Sequence, residues 1–250
     1  MSGRLITFGL SHYCEKARWA LDWHRIPFVE VGWPPGLHLS LARRLGAPAS
    51  SLPILVTDAT LVQGSRDIID WAEQQAPHGA RSLTATTELD TGRSIEERAD
   101  RVIGVHVRRL FYAEVLPHHP HLAKPWLLLN TSPTHRVIGT VMWPAVRKRM
   151  IQAMDTPPEA APESRAKLEA ELDWLDETLS DGGGFLVGER FSRVDLTVAA
   201  LLAPFARPEQ AEVYRAVTLP PPLQRDVERW RNRPSMTWVR RIYQQYRLPG

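Results

Sequence analysis

The residues best suited to chemistry stand together near the start of the chain, in the run Ser11-His12-Tyr13-Cys14-Glu15-Lys16-Ala17-Arg18-Trp19-Ala20-Leu21. A hydroxyl three residues ahead of a thiol has the spacing of a Cys-x-x-Cys redox site whose leading cysteine has become serine. Cys14 is the only cysteine, so an internal disulfide is excluded. What remains is a hydroxyl able to donate one hydrogen bond, and a thiol that becomes nucleophilic only as the thiolate. Tyr13 is a second hydroxyl donor in the same turn.

The flanking pattern must position these groups. Leu5-Ile6-Thr7-Phe8 is a short apolar run, and the order reads strand (4–8), tight turn, helix (12–24). Ser11 suits the N-cap, where its oxygen accepts a backbone N–H that the helix leaves free. Glu15 in the first turn, with Lys16 and Arg18 further along, agrees with the helix dipole. Tyr13, Ala17, Ala20, Leu21 and His24 share one face. Cys14 points inward one turn after the cap and reads as a small buried hydrophobe, with a redox thiol as the rival reading.

Residues 26–31 form a second strand with Pro27 at its start, 32–36 a loop and 37–45 a short helix. Leu52 to Val56 is a strand opened by Pro53, Thr57-Asp58-Ala59-Thr60 is turn chemistry, and Leu61-Val62 returns as a hairpin. Ser65 then caps a helix with Ile68, Ile69 and Ala72 inside, ending near Pro77-His78-Gly79. The order is βαβ, hairpin, helix, over residues 1–79. Residues 80–92 are polar and read as a linker. From 93 to 250 the periods are helical, interrupted by Pro117–Pro125 and Pro157–Pro162. Leu168, Leu172, Leu175 and Leu179 mark one amphipathic helix, stopped by Gly182-Gly183-Gly184. Ser192-Arg193-Val194-Asp195 is a capping box opening Leu196–Leu202, a run apolar on nearly every side and so a central helix. Pro220-Pro221-Pro222 separates the last two helices.

Composition narrows the function classes. An apolar fraction of 43%, a charged fraction of 24% and a net charge of +3 are those of an ordinary globular chain. Arginines are dispersed with no dense basic block, which argues against nucleic acid. Pairs such as Arg108-Arg109 read as exposed helix faces. No apolar run approaches the ~20 residues of a membrane span, and no signal peptide is apparent, so a reducing cytoplasm is expected. His118, His119 and His121 lack zinc-ligand spacing, and no metal is expected. Most of the nine tryptophans are expected in the core.

Three segments resemble the glutathione S-transferase superfamily, in its Ser- and Cys-type classes. They are Ser11-His12-Tyr13-Cys14 with Arg18; Ser51-Leu52-Pro53-Ile54-Leu55 followed by Ser65 and Ile68; and Gly188-Glu189-Arg190-Phe191-Ser192-Arg193-Val194-Asp195. The resemblance implies an α/β thioredoxin-like N-terminal domain plus an all-α C-terminal domain, and a cytoplasmic homodimer acting in detoxification. It implies glutathione as co-substrate and a small hydrophobic electrophile as second substrate. Ser11 would stabilise the glutathione thiolate. Leu52, before a cis Pro53, would pair with the cysteinyl amide. Ser65, with neighbouring Arg66, would take the γ-glutamyl end, and His38 or Arg44 the glycyl carboxylate. Tyr112, Trp126 and Trp143 would wall the electrophile pocket. One departure stands out: Gly64 occupies the place of the family's usual acid, and Asp67 is its nearest replacement. Two alternatives stay open, a non-catalytic binding or assembly protein and a glutathione-dependent thiol oxidoreductase using Cys14.

Overall fold

A computed structural model describes residues 3–77, 79–84, 89–157, 159–180 and 184–247. The predicted ends or breaks at His78, Pro158 and Gly182-Gly183, and residues 85–88 of the predicted linker, lie outside the described residues.

Four strands make one mixed sheet, β1 (Gly3–Thr7), β2 (Phe28–Gly32), β3 (Ile54–Val56) and β4 (Leu61–Gln63), in the order β2-β1-β3-β4. β2 runs parallel to β1, while β3 and β4 are antiparallel to their neighbours. Alternate residues face opposite sides. Leu5 and Leu55 pack on α1 (His12–Trp23) and α3 (Ser65–Gln75), through Ala17, Leu21, Ile68 and Ala72. Ile6 and Ile54 join Cys14 and Ala42, the latter on α2 (Leu37–Arg44).

From Leu89 onward the described elements are helical. α4 (Leu89–Arg98) runs through a π-helical turn (Ala99–Ile103) into α5 (Gly104–Val115). Then follow α6 (Pro120–Leu127), α7 (Pro133–Ala153), α8 (Ala160–Ser180), α9 (Arg193–Ala206), α10 (Glu212–Ala216), α11 (Pro221–Trp230) and α12 (Pro234–Tyr246). The Ser192 capping box is present, and every residue of α9 from Val194 to Ala206 is buried. Leu168, Leu172 and Leu175 are buried on α8 as their spacing predicts. No described helix is long and apolar enough to cross a membrane.

Several local expectations are corrected. α4 begins at Leu89, inside the stretch read as a linker, because a polar helix with an inward Gly92 and Glu96 carries little apolar signal. The predicted breaks around the prolines are present but narrower: helix stops at Val115 and Ala153 and resumes at Pro120 and Ala160. Pro120 and Pro162 sit in first turns, where a missing N–H costs nothing, and Pro125 lies inside α6. Ser65 is the first residue of α3 and Gly64 holds the cap position, with φ 99°. The charges of α1 are not a solvated dipole set. α1 lies between the sheet and α9 and is buried on almost every side. Glu15, Lys16 and Arg18 are therefore buried ion-pair partners.

The sheet edge and the helical part meet closely at Gly32. Its N–H donates to Asn130 O at 3.1 Å, and a Cβ there would stand 2.5 Å from that oxygen. Only glycine permits the approach.

Candidate functional site

β1 ends at Thr7, and residues 8–11 turn the chain into α1. The Ser11 N–H donates to Phe8 O (3.0 Å), and Ser11 O accepts the first helical bond from Glu15 N (2.9 Å). Ser11 Oγ accepts from Cys14 N at 3.3 Å. One lone pair is thus committed to the cap, and the O–H reaches the Cys14 sulfur, a weak acceptor while that thiol is neutral. Arg18 secures the same turn, donating from Nη2 to Gly9 O at 3.2 Å and pairing with Glu15 (2.7 Å) and Glu30 (3.0 Å).

Ser11 opens on a cavity of about 290 Å³ between the sheet-bearing and helical parts. From the first part come His12, Tyr13, His38 and Leu52; from the second, Arg108, Phe111, Tyr112 and Trp126. Of the predicted site residues, Ser11, Tyr13, His38, Leu52, Tyr112 and Trp126 therefore share one cavity. Trp143 is on α7 and packs against the helical core outside this lining. Arg66 lies 3.6 Å from Asp100 and lines a second, polar cavity of about 250 Å³ with Asp70, Glu96 and Arg193. Arg44 is exposed at the end of α2 and does not line the cavity.

Burial sets the protonation of the groups around Ser11. Cys14 has no exposed surface, and desolvation pushes its thiol up. Arg18, the Ser11 side chain and the Phe8 backbone offset this only in part. The group therefore stays a thiol, with no anion to compete for the Ser11 proton. His12 is held down to about 3 by burial and by the charge of Arg108, against a raising bond from Gly104. Its Nε2 lies 3.0 Å from Gly104 O and so carries the proton. Burial pushes the Tyr13 phenol up, and its O–H already donates to Asp100 O at 2.7 Å. That carbonyl lies in the π-helical turn, where the wider pitch releases groups from the regular ladder.

Leu52–Pro53 is a cis peptide bond. Leu52 precedes β3, so its backbone N–H and C=O lie outside the strand ladder at the cavity wall. Pro53 O accepts from Gly64 N at 3.0 Å, tying this bend to the start of α3. Ser65 is 7% exposed there, and Gly64 supplies no side-chain cap, so first-turn N–H groups are free to meet an anion. A Cβ on Gly64 would stand 3.7 Å from Asp67 Oδ2. The Asp67 carboxylate thus reaches the place where a side chain at 64 would begin.

Comparison with known families settles the affiliation. Residues 5–81 match the model described as glutathione S-transferase, N-terminal domain, and residues 158–233 the one described as glutathione S-transferase, C-terminal domain. The chain belongs to the glutathione S-transferase superfamily. Glutathione transferase GSTFuA3 from Phanerochaete chrysosporium is similar in structure, with a TM-score of 0.65 at 15% identity over 99% of this chain and 96% of that one. So is the beta-etherase LigF from Sphingobium sp. strain SYK-6, at 0.62 and 20%, covering 96% and 98%. FzlA from C. crescentus gives 0.61 and 17%, covering 98% and 89%. At such identities the likeness is one of fold. No curated protein matches the chain in sequence.

Within this glutathione S-transferase fold, several cavity residues carried no signal in the sequence, Phe111, Met154 and Tyr214 among them. His12 was legible only as the neighbour of Ser11. Arg108 is exposed, as its reading as a helix face expects, and it also lines the cavity, one turn before Tyr112 on α5.

Proposed function

We propose that this protein binds glutathione and activates its thiol for attack on a small apolar electrophile, with the Ser11 hydroxyl donating to the sulfur. The observation that carries the reading is the Ser11 cap: its oxygen is engaged by Cys14 N at the cavity wall, and its O–H, which lies against the neutral Cys14 thiol, finds a stronger acceptor in a thiolate. A free thiol ionises near ~8.5, and lowering that by two units requires about 2.7 kcal/mol in favour of the anion. One hydrogen bond to a charged group supplies about 1.5–3 kcal/mol, and the start of α1 about 0.3–1 more. Thiol ionisation releases its proton to solvent, the sulfur forms the new bond, and the leaving group departs with its electron pair.

The remaining groups suit the rest of the tripeptide. The Leu52 backbone can pair with the cysteinyl unit. Ser65 and the free N–H groups of α3 can take the γ-glutamyl carboxylate, and Asp67 can receive the amino group in place of the acid missing at Gly64. Gly36 N donates to His38 Nδ1 at 3.0 Å, which leaves the His38 Nε2–H as a neutral donor for the glycyl carboxylate. Arg66 is left out, since it faces Asp100. Phe111, Tyr112 and Trp126 supply the wall for an apolar second substrate.

With glutathione and chlorodinitrobenzene, Ser11→Ala is expected to lower kcat about 10- to 100-fold at neutral pH. Equal rates in the two proteins would remove Ser11 from the mechanism. A binding or assembly protein without catalysis is the second reading, favoured by Gly64. Calorimetry that found no heat with millimolar glutathione would select it.

A further inference from the structure

Arg108 has no part in thiol activation or in holding the tripeptide. It lines the cavity from α5 beside Phe111 and Tyr112, and among the described residues it has no hydrogen bond or ion pair. Its neighbour Arg109 is different, paired with Glu163 at 2.7 Å and Asp155 at 3.3 Å. Among the described residues lining the cavity, Arg108 is the only lysine or arginine, and no aspartate or glutamate lines it. The site therefore carries one formal positive charge and nothing acidic to neutralise it.

That charge is felt inside. It disfavours the imidazolium of His12 and favours the phenolates of Tyr13 and Tyr112, three groups of the same lining. Arg108 is exposed, so its guanidinium stands at the rim of the cavity beside Phe111 and Tyr112, within reach of an anionic group on a ring held by those side chains. Its planar fork also matches a carboxylate with two parallel hydrogen bonds. With Ser11, His38 and Leu52 given to glutathione, the end of the cavity beside Phe111, Tyr112 and Trp126 is what remains for a ring.

We infer that the second substrate is an apolar, ring-sized electrophile bearing one carboxylate, with Arg108 as the residue that selects it. This rests on reading the cavity as the second-substrate site. In the step itself the glutathione sulfur bonds to the ring carbon, the carbon–halogen bond breaks, and halide leaves with the electron pair. The carboxylate stays on Arg108 throughout.

The test compares two electrophiles alike in ring and leaving group, chloronitrobenzoate and its uncharged counterpart chloronitrobenzamide. Wild type is expected to favour the benzoate in kcat/KM by about tenfold over their uncatalysed ratio, and added salt should shrink the preference. Arg108→Gln should abolish the preference, and Arg108→Lys should restore part of it. Calorimetry of the two compounds without glutathione gives the same ratio in binding. That arm still decides the matter should conjugation fail altogether. Ser11→Ala should lower both rates and leave the ratio alone, so failure of the thiolate scheme is distinguishable from failure of this one. No preference in wild type, an unchanged preference in Arg108→Gln, or an equal rise of the glutathione KM with both electrophiles would overturn the assignment.

Discussion

Lys16 has no exposed surface, and its ammonium is held by Asp100 Oδ2 at 2.9 Å and Glu96 Oε1 at 3.0 Å. Burial would raise the Glu96 carboxyl, but Lys16 and Arg193 outweigh it and hold that group below its ordinary value. Replacing both charges with apolar groups can be neutral, whereas removing one partner strands the other. Lys16→Met, close in length, is therefore expected to lose about 3–5 kcal/mol in urea unfolding. A loss below about 1 kcal/mol would mark the cluster as ordinary surface pairing. Ser11 was legible in the sequence because a cap residue ahead of an apolar helix has a recognisable form. Lys16 and Arg108 were not. One charge is buried by distant partners and the other faces a cavity, and neither circumstance leaves a trace in local spacing.

At the scale of elements, most of the fold could be read from residue types. The apolar run at 5–8 and the strand read at 26–31 became β1 and β2, the Leu168–Leu175 stripe became α8, and the Ser192–Asp195 box opened α9. The misreadings share one cause. α4 is polar, α6 carries two prolines, and α8 starts beside Pro162, so local propensity spoke against helices that packing then stabilised. The π-helical turn at Ala99–Ile103 had no sequence signature. Its consequence is specific: it gives Tyr13 a carbonyl to bind, which withdraws that hydroxyl from any duty at a sulfur. Trp143 misled for a different reason. An aromatic residue on a predicted helix says nothing of which way α7 turns, and here it packs against the core.

For the molecule as a whole, one carboxylate fastens the connection between its two parts. Glu73 on α3 takes hydrogen bonds from Ser82 Oγ (2.6 Å) and Leu83 N (2.5 Å), and His24 Nε2 lies 3.0 Å away. Leu83 is fully buried in the helical core, so one carboxylate fastens the crossing segment to the sheet-bearing part. Burial pushes Glu73 up, but the bonds from His24, Ser82 and Leu83 prevail and bring it down from 4.5 to about 2. A depressed carboxyl contributes stability that is present above its unfolded value and lost as pH falls. The contribution should thus be complete above 4.5 and fade toward 2. Thermal unfolding followed across that window should show Glu73→Gln with a shallower acid decline than wild type. Parallel declines would mean that this contact carries no such dependence.

The central claim concerns one proton, and the ultraviolet absorbance of the bound glutathione thiolate reports it directly. Titrated in complex with wild type, the thiol should ionise about two units below its free value, and with Ser11→Ala it should return most of the way. Identical titrations in the two complexes would contradict the account.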